Sequence, residues 1–60
     1  MSNETIARRY DVASNDAIDQ RLSPEQRALA SSEQHDALRE IKARERHGGV
    51  KIRTRVPRLF

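Results

Sequence analysis

The chain has 60 residues, no cysteine, no tryptophan, one tyrosine, one phenylalanine and a formal net charge of +3. Ile, Leu, Val and Phe together supply 12 of the 60 residues, the compositional border below which chains stop folding alone. This excludes a disulfide framework and a thiolate metal site, and it leaves too little core to shelter catalytic chemistry.

The first expected element is a helix from Asn3 to about Gln20. Ile6, Tyr10, Ala13 and Ala17 recur at i, i+4, i+7 and i+11 and share one stripe. Asn3 is the expected N-cap, with Glu4 behind it where the helix dipole favours an anion. Ser14, Asn15 and Asp16 compete for backbone hydrogen bonds and mark a place for a break. Val12 and Ile18 fall off the stripe. The run Thr5-Ile6-Ala7-Arg8-Arg9-Tyr10 resembles the opening of ATP synthase delta subunits. That resemblance spans six residues, with Asp11 where the family has alanine, and implies no function for the remainder.

The second element is a long helix from Pro24 to about His47. Ser23-Pro24-Glu25-Gln26 has a serine N-cap, a proline at N1 and a glutamine at N3, the capping-box arrangement. No proline or glycine interrupts the next stretch, and Glu40 with Arg44 makes an acid-before-base pair at i+4. Gly48 is the expected left-handed terminus behind Arg46 and His47. The apolar face is thin. Leu38 and Ile41 share it with Ala30 and Ala37, and Leu29 lies about 180° from Leu38 on the helical wheel.

After Gly48 and Gly49 the period changes to two. Val50, Ile52, Thr54 and Val56 alternate with Lys51, Arg53 and Arg55 until Pro57 ends the pattern. No second segment alternates in the same way, so this strand-like arm has no partner within the sequence. The expected class is therefore mainly α. It comprises one or two extended helices plus a C-terminal β-strand-like arm, with no independent globular core. Its segments are an N-terminal helical arm (1–22), a capped central helix (23–48) and a basic extended arm (49–60).

Charge is segregated. Residues 1–20 carry −2 and residues 21–40 carry −1. Residues 41–60 carry +6, with Glu45 alone against seven cations. Such asymmetry points to an anionic partner at the basic end. Arg44, Arg46, Lys51, Arg53, Arg55 and Arg58 are the candidate anion- or nucleic-acid-binding residues. In an extended chain, Lys51, Arg53 and Arg55 would stand about 6.8 Å apart on one side. Val50, Ile52, Val56, Leu59, Phe60, Leu38 and Ile41 are the candidate contacts to a partner protein.

Catalysis has no foundation here. The acid pairs Glu4/Asp11, Asp16/Asp19 and Glu33/Asp36 lie on polar faces with nothing to raise a pKa. Ser31, Ser32, His35 and Asp36 are neighbours on one helix and do not converge as a triad. His35 and His47 lack further ligands at a metal-site spacing. Gly48-Gly49 lacks the Lys-Ser/Thr pair and following helix of a phosphate loop. No enzyme, cofactor or metal is expected. No basic region followed by an apolar run opens the sequence, and no run approaches the ~20 residues of a membrane span. The expectation is a cytoplasmic or virion protein without a membrane partner.

The leading expectation is a non-enzymatic accessory protein that docks on a larger assembly, such as a virion, polymerase or ribonucleoprotein, through its helices and arm. The alternatives are a small nucleic-acid-binding regulator using the basic third, a small inhibitor of a larger enzyme, and a homodimer.

Overall fold

The computed structural model describes residues 2–58 and contains two helices, α1 (Asn3–Ala17) and α2 (Pro24–Gly48). The mainly helical class follows the sequence. The element ends differ from expectation, each for a local reason.

Helix α1 is capped by Ser2 rather than Asn3. Ser2 is extended (φ −74°, ψ 162°), and its Oγ accepts the Thr5 N–H at 3.1 Å. Asn3 is already helical, and its side chain accepts a hydrogen bond from Arg44 at 3.0 Å. The helix runs unbroken through Ser14, Asn15 and Asp16 and stops at Ala17, short of Gln20. Ser14 does not compete for its own backbone because its hydroxyl is turned inward. It is 5% exposed and accepts Gln34 Nε2 at 2.9 Å, a bond that crosses between the helices. Past Ala17 the Asp19 carboxylate takes over. It accepts the Arg21 backbone N–H at 3.0 Å and the Arg21 guanidinium at 3.1 Å, closing the turn.

The capping box of α2 forms as the sequence indicates. Ser23 Oγ accepts the Gln26 N–H at 3.2 Å, and Gln26 Oε1 accepts the Ser23 N–H at 3.0 Å. The left-handed residue is Gly49 (φ 65°, ψ 15°), one position beyond expectation, and its N–H donates to the Glu45 carbonyl at 3.2 Å. Gly48 stays helical. The 25 residues of α2 at about 1.5 Å each match the molecule's 37 Å long axis.

The short turn makes the helices antiparallel; α2 buries the stripe its spacing defines, whereas α1 buries Ile6, Tyr10 and Ala13 of its expected stripe, adds Ala7 and leaves Ala17 half-buried. Ile6, Ala7, Tyr10 and Ala13 of α1 face Ala30, Ala37, Leu38 and Ile41 of α2, and all are buried. The off-stripe Val12, Ile18 and Leu29 remain 54%, 77% and 67% exposed.

Residues 50–58 fold back across this hairpin as a strap. Among the described residues there is no strand; the period-two pattern survives as alternating exposure. Lys51, Arg53 and Arg55 are exposed, Ile52 is buried, and Thr54 and Val56 are half-buried. Ile52 joins Ile6, Ala7, Tyr10, Ala37, Leu38 and Ile41 in one cluster, with Val56 packed against it. A chain expected to lack a core of its own thus encloses a small one. Neither helix supplies enough apolar surface by itself, and the strap contributes the missing side chain.

Candidate anion-binding surface

Two carboxylates pin the strap, and both act on backbone donors that a β-ladder would otherwise use. Asp11 Oδ1 accepts the N–H groups of Arg55 at 2.9 Å and Val56 at 3.0 Å, and Oδ2 also lies 3.0 Å from the Arg55 nitrogen. Glu45 Oε2 accepts the Ile52 N–H at 2.8 Å. Arg58 then grips the Glu45 carboxylate with both terminal nitrogens, Nη2 at 2.8 Å, and Nη2 also donates to the Ile52 carbonyl. The Arg58 fork, followed by the Ile52 N–H, holds the Glu45 carboxyl down to a pKa of about 2. Glu45 in turn raises Arg58 above its ordinary value. Tyr10, wholly buried, donates its hydroxyl to the Pro57 carbonyl at 3.3 Å.

These anchors fix which way each side chain of the strap faces. Leu38, Ile41 and Ile52, expected to meet a partner, meet each other in the core. Val56 is half-buried against them, and Val50 is 44% exposed. Leu59 and Phe60 lie outside the described residues.

The basic candidates divide in the same way. Arg58 is committed to Glu45, while Arg44 lies 3.5 Å from Glu40 and also donates to Asn3. Arg46, Lys51, Arg53 and Arg55 are exposed, and among the described residues no carboxylate lies at ion-pair distance from their side chains, although the Lys51 charge also acts on Glu45.

The strap also brings Arg53 and Arg55 beside α1. Together with Arg8, Val12 and Asn15 they line a groove of about 470 Å³ that includes Glu4 and Asp11. Arg8 did not figure among the candidate residues, because in sequence it stands 45 positions before Arg53. Asp11 and Glu45 were equally hidden as strap anchors. The one available signal was the isolation of Glu45 among seven cations.

Among the described residues no group of three or more His, Asp or Glu side chains is placed to hold a metal ion, and no helix is long and apolar enough to cross a membrane. No family model matches the chain, and neither a curated protein nor a solved structure matches it.

Proposed function

We propose that this chain is a non-enzymatic accessory protein of a larger nucleoprotein assembly, and that it meets the nucleic acid through its cationic outer face. One observation carries the reading. The strap turns Ile52 into the core and leaves Lys51, Arg53 and Arg55 in solvent, with no carboxylate at ion-pair distance from their side chains among the described residues. The apolar side of the strap is used internally, so the charge outside is what remains for a partner. Three exposed cations suit a phosphodiester backbone, and contacts of that type position a protein without reading sequence.

The test is fluorescence anisotropy with a short mixed-sequence DNA duplex across a salt series. Affinity should fall linearly on log–log axes. The K51Q/R53Q/R55Q variant should flatten the slope by about 2.7, at about 0.9 per contact. A wild-type chain that fails to bind at low salt ends this reading.

A second reading, docking on a protein component of the assembly, draws support from Val50, which is 44% exposed next to the basic end of α2. Its contacts would be Val50, Leu59 and Phe60. On this reading, L59A/F60A weakens capture of that component more than L29A does; equal losses remove it.

A further inference from the structure

The groove between α1 and the strap differs from an ordinary charged tail, because its cations come from two segments that only the fold brings together. Arg8 stands on the outer face of α1, and Arg53 and Arg55 reach the same groove from the strap. All three are exposed, and no carboxylate pairs with their side chains among the described residues. Two acids of α1, Glu4 and Asp11, also line the groove, and the Asp11 oxygens already accept the N–H groups of Arg55 and Val56. The backbone of Arg55 is therefore fixed at the groove while its guanidinium stays available. Tyr10, the one Phe, Tyr or Trp ring among the described residues, is wholly buried, so no such ring stands ready to stack on an unpaired base.

We infer that Arg8, Arg53 and Arg55 form a preorganised seat for the phosphodiester backbone of a duplex, with Asp11 as its positioning residue. The inference rests on the nucleic-acid reading above and adds a location to it. Guanidinium forks converging on one groove engage successive phosphate oxygens, and a seat fixed before binding spares the entropy of ordering a loose tail.

The neighbouring Arg9 provides an internal control. It carries the same charge but lies on the other flank of α1, beside Ile6, Asp36, Ala37 and Glu40. Any account based on net charge treats Arg8 and Arg9 alike; the seat does not.

The experiment measures binding of R8Q, R9Q, D11A and the unmodified full chain to the same DNA duplex between 50 and 200 mM salt. Circular dichroism verifies that helix content is retained. R8Q should reduce the salt slope by about 0.9, so that its affinity loss across that range is about 3.5-fold smaller, while R9Q keeps the original slope. D11A should weaken binding although it deletes a negative charge, because no side-chain oxygen then accepts the Arg55 and Val56 N–H groups. Equal slopes for R8Q and R9Q, or tighter binding by D11A, would overturn the seat while leaving nucleic-acid binding in place. An unmodified chain without salt-dependent binding would remove both. Because R8Q and R9Q alter exposed side chains, their comparison stands even if D11A unfolds.

Discussion

Arg58 and Glu45 meet fork to fork across the base of the strap, and the same carboxylate takes the Ile52 N–H. The Glu45 carboxylate thus holds both the Arg58 guanidinium and the backbone of Ile52, whose side chain completes the core. Each side chain is 21% exposed, so the pair is partly shielded without being sealed from water.

That geometry sets a pH dependence. Glu45 ionises at about 2 in the fold, against about 4.5 when unperturbed. In between, the unfolded chain binds the proton and the folded chain does not, so stability rises with pH. The contribution is complete above about pH 4.5 and is lost as pH falls through about 2. E45Q should flatten this window. Following the Ile52 amide by NMR through an acid titration checks it; an unchanged profile in E45Q would assign the acid response to another group.

The two adjacent glycines should respond to alanine with opposite signs. Gly49 has φ 65° and no atom near an added Cβ, so G49A costs about 1–2 kcal/mol from backbone strain alone. Gly48 is helical, and a Cβ there would meet only Val50 Cγ2 at 3.7 Å, an ordinary contact. G48A should stabilise by about 0.5–1 kcal/mol. Urea midpoints of the two variants decide it.

Ile41 and Leu29 lie on one helix but differ completely in burial, at 0% and 67% exposed. I41A should cost about 2–5 kcal/mol, much of what a chain of this size commands, whereas L29A should stay within about 0.5 kcal/mol. Chemical denaturation of both provides the comparison. Similar losses would mean that the buried stripe of α2 lies elsewhere.

Ending the chain after Gly49 removes Ile52 and the backbone donors that Asp11 and Glu45 hold, while leaving each helix intact in sequence. The remaining hairpin exposes Tyr10, Leu38 and Ile41, and isolated helices of such lengths are marginal in water. Helical circular dichroism should drop and the melt should broaden. Full retention of both would show that the strap adds nothing to stability.

Local features were legible in the residues themselves. The Ser23 capping box, the buried stripes and the outward direction of Val12, Ile18 and Leu29 follow from spacing and from side chains that act within one turn. The glycine terminus was visible too, displaced by one residue, because both glycines tolerate the left-handed conformation and only the packed helix end selects Gly49. The N-cap shifted for a similar reason: Ser2 and Asn3 both qualify, and Arg44 engages the Asn3 side chain.

The sequence by itself determined a mainly helical chain, the Ser23 capping box, most of the two apolar faces and a cationic arm of alternating pattern. Tertiary structure alone decided where that arm lies, and therefore which of its residues meet the core and which meet solvent. The physical reason is range. Caps and stripes arise between residues a few positions apart, whereas Asp11 holds Arg55 across 44 positions and Tyr10 reaches Pro57 across 47. A lone carboxylate on a helix face looks the same in sequence whether it meets water or a strap.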